Sequence, residues 1–209
     1  GYYARLKEGA EKRGLLFLAS VFGPRSARLL RRLGAEAVKI ASPELNHFPL
    51  LAEVGSYGLP VILSTGVSTL GDIERALRFC PEAVLLHCIT AYPAPEGEYN
   101  LRLVQSLRSV FGRPVGVSDH SLDPLLVPGL AVTAGACLVE KHIGFSRRGL
   151  ELDDPIALEP AQFASMVAFI REAERLGPER APAAVEERFG PQRVRQVLGD
   201  GVKRLAPAE

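Results

Sequence analysis

A spacing of 22 residues recurs along this 209-residue chain and restricts the folds that it can adopt. Ser20, Ser42 and Ser64 are 22 positions apart (42 − 20 and 64 − 42), and His120 and His142 are again 22 apart. Each of them lies at or next to the end of a short run rich in Val, Ile or Leu, and helical patterns fill the segments between the runs. Continuous apolar runs of this length are typical of strands buried on both faces of a parallel sheet. The sequence therefore predicts a repeated unit of one strand and one helix.

Six such units can be counted. Their strands are predicted at 14–20, 37–42, 60–65, 83–89, 114–119 and 137–143. Short units with polar strand ends favour the α/β class and a (β/α)8 TIM-type barrel, whose catalytic face is built from those ends. The alternative is a doubly wound open sheet, which usually has a Gly-rich phosphate loop after its first strand. The corresponding stretch here, "ASVFGPRS", has a single glycine, so the barrel is favoured.

The count of units also predicts the domain organisation. Six units are two short of a closed barrel, so we expect that the first two are missing from this chain. Residues 1–177 are predicted to form the partial barrel. Residues 178–209, which include "PERAPAAVEERFG", are predicted to be a linker toward a further domain.

Charge and cysteine content exclude several classes of protein. With 25 basic and 24 acidic residues the net charge is +1, so no global field attracts nucleic acid or an anionic membrane. The apolar runs are far shorter than the ~20 residues of a membrane-spanning helix.

Cys80, Cys88 and Cys137 have no CxxC spacing and lie in apolar surroundings. We interpret them as buried, reduced thiols of a cytoplasmic protein.

The segment "LVEKHIG" places three ionisable residues inside an apolar run. Glu140 and His142 are expected at the mouth of the last strand, and His120 ends the preceding strand. Two imidazoles beside a carboxylate suit a divalent transition metal that keeps open positions for substrate. The alternative, that His142 is a hydrogen-bonded core residue and His120 caps the next helix, stays open at this point.

A second group of residues suits an anion. Lys39 interrupts the apolar run "AVKIAS", and a buried lysine implies an anionic partner. Hydroxyl donors at four strand ends could complete a phosphate or carboxylate cradle; they are Ser20, Ser42, Ser64 and Ser118. Each serine taken singly also fits a helix N-cap.

Two loops carry further candidates. "HCITAYPAPEGEYNL" is forced into an irregular path by its prolines and glycine, and it presents Tyr92, whose ring and hydroxyl suit a sugar. His87, earlier in that strand, is predicted to be a core residue. Asp153 and Asp154 follow the "GFSRRGLEL" loop and are expected to bring carboxylates over the mouth of the barrel, although solvated loop acids are the alternative.

Six ordered stretches of the chain resemble the sialic acid synthase family, which includes N-acetylneuraminate, legionaminate, pseudaminate and spore-coat polysaccharide synthases. They are "FLASVF", "VKIASPELNHFPLL", "PVILSTGVSTLGDIERAL", "LLHCITAYPAPEGEYNL", "PVGVSDHSLD" and "VEKHI…LDDPIALEP". The resemblance runs from about residue 5 to residue 177 and returns in "LGDGVKRLAPAE". It implies an enzyme that condenses phosphoenolpyruvate with an N-acylated hexosamine, such as N-acetylmannosamine, to a nine-carbon 2-keto sugar acid and phosphate.

The resemblance also implies roles for particular residues. His120 and His142 would bind a divalent metal. The expected metal is Mn²⁺, with Mg²⁺ or Co²⁺ as alternatives. Glu140 would lie beside the metal and the reacting atoms. Phosphoenolpyruvate would contact Lys39, Ser20, Ser42, Ser64 and Ser118, and the substrates would also meet Thr90, Tyr92 and Asp153. A homodimer is implied, as are further active-site residues in the two expected missing strands and in a C-terminal antifreeze-like domain.

Two other functions remain open from the sequence. One is a different condensing enzyme that joins phosphoenolpyruvate to another aldehyde. The other is a non-catalytic barrel fragment that binds sugar phosphates. Thr90, Tyr92 and Asp153 favour an acylated sugar over other aldehydes.

Overall fold

The computed structural model of the protein describes residues 1–149 and 151–203. Its strands are β1 (Ala19–Ser20), β2 (Val38–Ile40), β3 (Val61–Ser64), β4 (Val84–Cys88), β5 (Val115–Asp119) and β6 (Val139–Lys141). Its helices are α1 (Tyr2–Glu11), α2 (Pro24–Arg32), α3 (Phe48–Gly55), α4 (Leu70–Leu77), α5 (Leu103–Phe111), α6 (Leu126–Thr133), α7 (Pro160–Phe189) and α8 (Pro191–Leu198). Strands and helices alternate as predicted, which confirms the α/β class. A closed eight-unit barrel and two missing units stay predictions.

The chain divides into two compact units, one of residues Gly1–Leu85 and one that begins at 86. In the first unit β1, β2 and β3 are neighbouring parallel strands, with Ser20 opposite Lys39 and Lys39 opposite Ile62. The strand predicted at 14–20 is reduced to its last two residues. Leu15 and Leu16 lie outside it and are 59% and 70% exposed, because no described residue covers them.

Helix α4 shows how local sequence fixes the boundaries of an element. The Asp72 backbone N–H donates to Thr69 Oγ1 at 3.1 Å, and the Thr69 backbone N–H donates to Asp72 Oδ2 at 2.8 Å. This reciprocal pair is the capping box that the Thr69 and Asp72 spacing predicts, and it satisfies two N–H groups that a helix start leaves free. Ile73 on the same helix is fully buried in the core of the first unit.

In the second unit β5 and β6 are parallel, and their register determines the geometry of the candidate site. Val117 lies opposite Val139, Ser118 opposite Glu140, and Asp119 opposite Lys141. Helices α6 and α7 pack against each other so closely that a Cβ atom at Gly129 would lie 2.4 Å from the Phe169 ring.

The C-terminal stretch is folded further than the linker prediction suggests. α7 continues past Gly177, where a positive φ of 73° kinks it, and α8 follows. Ala181, Val185, Val194 and Val197 are buried, so the chain is packed in helices as far as Leu198. Part of the predicted linker, 204–209, lies outside the described residues, and the further domain stays a prediction.

Cysteine burial is confirmed at two positions of three. Cys80 and Cys88 are buried, whereas Cys137 is exposed, so the prediction for Cys137 is wrong. Cys137 precedes β6, whose residues are only half-buried, and its apolar neighbours in sequence therefore do not enclose it.

Within the described part of the chain, none of the helices has the length and apolar character needed to cross a membrane.

Candidate functional site

The buried lysine of the first unit has a hydroxyl partner on the neighbouring strand. Lys39, in β2, is 5% exposed, and its Nζ donates to Ser64 Oγ at the end of β3 over 2.7 Å. Ser64 is itself 3% exposed. An ammonium group and a hydroxyl thus meet in a desolvated position, where both are donors suited to an anionic oxygen.

The other serines predicted for this group differ in their surroundings. Ser42 begins a 3₁₀ turn (Ser42–Glu44), and its Oγ accepts a hydrogen bond of 3.0 Å from the Gly66 backbone N–H. Ser42 therefore holds the loop after β3. Ser20 ends β1 and is exposed. The structure thus joins Lys39 directly with Ser64 and links Ser42 to the loop that follows Ser64.

In the second unit the alternation of side chains along β5 and β6 separates two sets of residues. Successive side chains of a strand point to opposite faces. Ser118 and Glu140 face each other across the register, and the Ser118 hydroxyl donates to Glu140 Oε1 at 2.6 Å. His120 and His142 lie two residues further along on that same face, with ring centroids 5.6 Å apart. The predicted metal ligands and the predicted catalytic carboxylate are therefore brought together.

The orientation of His120 is fixed by its backbone and ring contacts. Its Nδ1 lies 2.8 Å from the Ile89 carbonyl oxygen, which can only accept, so Nδ1 carries the proton. Nε2 is left with a lone pair, 3.3 Å from both the Ser118 and the Tyr92 hydroxyl oxygens. Burial lowers the pKa of His120, and the Ile89 hydrogen bond opposes that shift. A neutral imidazole with a lone pair on Nε2 is the form that binds a metal.

His142 has a comparable arrangement on the neighbouring strand. Its Nδ1 lies 3.5 Å from Asp153 Oδ2, on the loop after β6. A carboxylate beside one ring nitrogen orients the imidazole and leaves the other nitrogen available. The Tyr92 ring stacks on His120 with centroids 4.3 Å apart and meets the His142 ring edge-on at 6.0 Å. Tyr92 thus packs against both histidines.

These side chains fit a divalent metal with two protein ligands. Metal-binding histidines usually make a second contact through the ring nitrogen that does not bind the metal. His120 makes this contact with the Ile89 carbonyl oxygen, and His142 has the Asp153 carboxylate nearby. Among residues 1–149 and 151–203, no set of three or more His, Cys, Asp or Glu side chains is arranged to hold a metal.

The remaining predicted residues lie on loops or in the core. Thr90, after β4, is exposed, and Tyr92 and Asp153 are exposed as well. Asp154 accepts a hydrogen bond of 2.9 Å from the Glu151 backbone N–H, so it shapes the loop that carries Asp153. His87 is 2% exposed, and its Nε2 lies 2.5 Å from the Tyr99 carbonyl oxygen, which confirms the predicted core position.

Three residues that the sequence analysis did not select meet at the opposite face of β5 and β6: Asp119 and Lys141 from the strands themselves, and Tyr99 from the loop after β4. Lys141 Nζ donates to Asp119 Oδ2 at 2.7 Å, and both side chains are fully buried. Burial lowers the pKa of Lys141, and the Asp119 carboxylate opposes that shift. The hydroxyl of Tyr99 accepts a hydrogen bond of 2.7 Å from the His120 backbone N–H. Burial and the nearby Asp119 carboxylate raise the pKa of Tyr99. The sequence contains a signal that Asp119 and Lys141 lie side by side, because they have the same 22-residue spacing as the two histidines.

Comparison with known protein families identifies the family to which the chain belongs. The model of the NeuB family matches residues 1–180. The chain belongs to the NeuB family. This confirms the resemblance to sialic acid synthases inferred from the six sequence stretches.

Curated relatives carry the names of several synthases. N,N'-diacetyllegionaminic acid synthase of Campylobacter jejuni is 33% identical over 207 residues, which cover 96% of this chain and 55% of that protein. Pseudaminic acid synthase of Helicobacter pylori is 32% identical over 196 residues, with 90% of this chain and 57% of that protein covered. The chain spans about half the length of the curated relatives that it matches.

Solved structures of related synthases have the same fold as this chain. Spore coat polysaccharide biosynthesis protein SpsE of Bacillus subtilis has a TM-score of 0.85 at 31% identity, covering 97% of this chain and 56% of that one. The N-acetylneuraminic acid synthetase of Leptospira borgpetersenii, crystallised with citrate, has a TM-score of 0.80 at 32% identity. The match covers 91% of this chain and 70% of that one. The fold of NeuB proteins therefore extends over nearly the whole chain.

Proposed function

We propose that the protein takes part in a metal-dependent condensation of phosphoenolpyruvate with an N-acylated hexosamine, which yields a nine-carbon 2-keto sugar acid and phosphate. One observation carries the proposal: His120 and His142 lie on one strand face beside Glu140, with Nδ1 of His120 hydrogen-bonded to the main chain and Nδ1 of His142 3.5 Å from the Asp153 carboxylate. Membership of the NeuB family supports the class of reaction, and the names of the relatives support a sugar substrate.

In this proposal the residues of the first unit bind phosphoenolpyruvate. Lys39 supplies a positive charge, and Ser64 supplies a hydroxyl that is already hydrogen-bonded to it at 2.7 Å. Donors fixed before the substrate arrives need no reorganisation when charge develops on the phosphate oxygens. Ser42, Ser20 and Ser118 are further hydroxyl donors proposed for the same substrate.

His120 and His142 would hold the divalent metal, for which Mn²⁺ is proposed with Mg²⁺ or Co²⁺ as alternatives. A divalent ion held there would supply Lewis-acid activation of the sugar aldehyde. Carbon 3 of phosphoenolpyruvate then forms a bond to the aldehyde carbon, and positive charge develops at carbon 2. Water adds at carbon 2, and phosphate leaves as the bond between carbon 2 and the bridging oxygen breaks. One proton from water converts the new alkoxide to a hydroxyl, and the other is passed to the departing phosphate, which leaves as HPO4²⁻.

Glu140 is the group proposed to handle charge or protons at carbon 2. Its Oε1 accepts a hydrogen bond from Ser118, which fixes the carboxylate on the face that carries both histidines. Thr90, Tyr92 and Asp153 are proposed to contact the sugar, because they lie on the loops after β4 and β6 and are exposed there.

Sugar-dependent release of phosphate tests the proposal. The full-length protein is incubated with phosphoenolpyruvate and Mn²⁺, with and without N-acetylmannosamine and other N-acylated hexosamines. We expect release only with an acylated sugar, and loss of at least ~100-fold in His142→Ala, since even outer-shell changes cost 10- to 100-fold. His47→Ala is the control, because that imidazole pairs with Glu44 at the start of α3. Release with other aldehydes only would indicate a different condensing enzyme, and no release despite metal binding would favour a non-catalytic role.

The homodimer and the cytoplasmic location stay predictions. Light scattering of the full-length protein after size-exclusion chromatography would test the dimer, and a mass of one subunit would contradict it. Fractionation of cells that express it would test the location.

A further inference from the structure

A polar network lies directly behind the two histidines, on the opposite face of β5 and β6. Asp119 is flanked by Ser118 and His120, and Lys141 by Glu140 and His142. Because side chains alternate along a strand, these two residues point away from the candidate site. Their ion pair joins the two strands at the register position that immediately precedes the histidines.

Each member of the ion pair has additional hydrogen bonds. Asp119 Oδ1 accepts a bond of 2.8 Å from the Ser121 backbone N–H, while Lys141 Nζ also donates to the Ser121 carbonyl oxygen at 2.5 Å. The main chain on both sides of His120 is thereby tied to Lys141. A buried ion pair needs such additional bonds to offset its desolvation, and its best-attested use is to specify one register among alternatives.

Tyr99 connects this network to His120 itself. Its side chain is fully buried, and its hydroxyl accepts a 2.7 Å hydrogen bond from the His120 backbone N–H close to the Asp119 carboxylate. The main chain of Tyr99 is also engaged, since its carbonyl oxygen lies 2.5 Å from His87 Nε2. The hydroxyl of Tyr99 thus fixes the point where β5 ends and His120 begins.

We infer that Tyr99, Asp119 and Lys141 are positioning residues that set the relative placement of His120 and His142 for one metal ion. This inference rests on the proposed metal site. The ion pair holds β5 and β6 in register, and the Tyr99 hydroxyl fixes the backbone of His120. The imidazoles then need no adjustment when the metal binds, so loss of the network weakens metal binding even in a protein that stays folded.

Tyr99→Phe tests the inference with the smallest change. The phenyl ring keeps the packing, but the His120 N–H loses its hydrogen-bond acceptor. Tyr57→Phe is the matched control, because it removes a hydroxyl that donates to Glu53 in the first unit. Two quantities are measured on the full-length proteins: the dissociation constant of Mn²⁺, from the electron paramagnetic resonance signal of the free ion, and the visible spectrum of bound Co²⁺. Both are recorded well below the thermal transition of each variant.

We expect Tyr99→Phe to raise the Mn²⁺ dissociation constant at least ~10-fold, as changes behind metal-binding histidines generally do, and to alter the Co²⁺ spectrum. Tyr57→Phe should match the wild type in both. A purely structural role would lower the melting temperature of Tyr99→Phe but leave both quantities unchanged, and that result would overturn the inference.

A second variant covers the case in which Tyr99→Phe does not fold. Asp119→Leu combined with Lys141→Leu removes both charges together, so that neither is left buried and unpaired. Wild-type values for Mn²⁺ and Co²⁺ in this double variant would likewise overturn the inference. Failure of the proposed metal site is recognised separately, from the wild type and His142→Ala alone: equal Mn²⁺ binding by these two would remove the site itself.

Discussion

The Ser118 hydroxyl donates a hydrogen bond of 2.6 Å to Oε1 of Glu140, across the register that places these two residues opposite each other on β5 and β6. Glu140 is half-buried, and this bond directs its carboxylate along the strand face that ends in His120 and His142. The position of a single carboxylate thus depends on a hydroxyl from the neighbouring strand. This relationship supports the proposed role of Glu140 at the reacting carbon.

Glu140→Gln should reduce turnover strongly while it preserves the fold. The amide has the same shape and can still accept from Ser118, but it has no charge and cannot take up a proton. General acid–base groups typically contribute ~10²- to 10⁴-fold, so we expect kcat to fall within that range. The measurement is sugar-dependent phosphate release, with Glu172→Gln on an exposed part of α7 as the control. Near-native turnover of Glu140→Gln would remove Glu140 from the mechanism.

Lys39→Met should weaken the use of phosphoenolpyruvate. Methionine keeps an apolar stem of similar length but removes the ammonium group that bonds to Ser64. A hydrogen bond to a charged group contributes about 1.5–3 kcal/mol, so kcat/KM for phosphoenolpyruvate should fall by about 10- to 100-fold. Steady-state kinetics with varied phosphoenolpyruvate measures this, and Lys12→Met on the exposed end of α1 is the control. An unchanged kcat/KM would mean that Lys39 has a structural role only.

Gly116→Ala should destabilise the sheet of the second unit. A Cβ atom at this position would lie 2.5 Å from the Leu138 carbonyl oxygen and 2.7 Å from Leu86 Cδ2, so the strands must separate. Overpacking of this kind costs about 1–3 kcal/mol. Gly71→Ala is the matched control, because its Cβ would meet only Thr69 Oγ1, at 3.8 Å. Urea unfolding should separate the two variants, and equal midpoints would contradict the close approach at Gly116.

His87 should make the protein less stable as the pH falls. Burial lowers the pKa of His87 from 6.5 to about 4, so the unfolded chain binds a proton between these values that the folded chain does not. Stability is then complete above pH 6.5 and decreases as the pH falls to about 4, by roughly 3 kcal/mol at 1.36 kcal/mol per pKa unit. His87→Gln does not titrate, so its unfolding free energy should vary less with pH across this window. Parallel curves for the two proteins would contradict the assignment.

The sequence was sufficient for the features that depend on local pattern. The apolar runs that contain Ser42, Ser64 and His142 at or near their ends predicted alternating strands and helices, because burial on both faces requires such runs. The spacing of His120 and His142 predicted that they meet, because equivalent positions in neighbouring parallel strands lie side by side. Thr69 and Asp72 predicted the start of a helix for the same local reason.

Other features depend on register and on what covers a residue, and these could not be predicted. Asp119 and Lys141 have the same 22-residue spacing as the two histidines, but the spacing does not show that their side chains pair on the face opposite the histidines. Tyr99 enters the network from a loop, so no spacing indicated it. Cys137 has apolar neighbours in sequence, but its exposure depends on the packing around β6. These features follow from tertiary contacts that a linear pattern does not encode.

The central claim is that the protein forms a carbon–carbon bond from phosphoenolpyruvate with loss of phosphate by C–O cleavage. The most direct measurement uses phosphoenolpyruvate labelled with ¹⁸O in the bridging position, with Mn²⁺ and an N-acylated hexosamine, and follows the released phosphate by ³¹P nuclear magnetic resonance. The account predicts that phosphate appears only with the sugar and carries the heavy oxygen, because the bond to carbon 2 is the one that breaks. Unlabelled phosphate, released whether or not the sugar is present, would show hydrolysis at phosphorus and contradict the account.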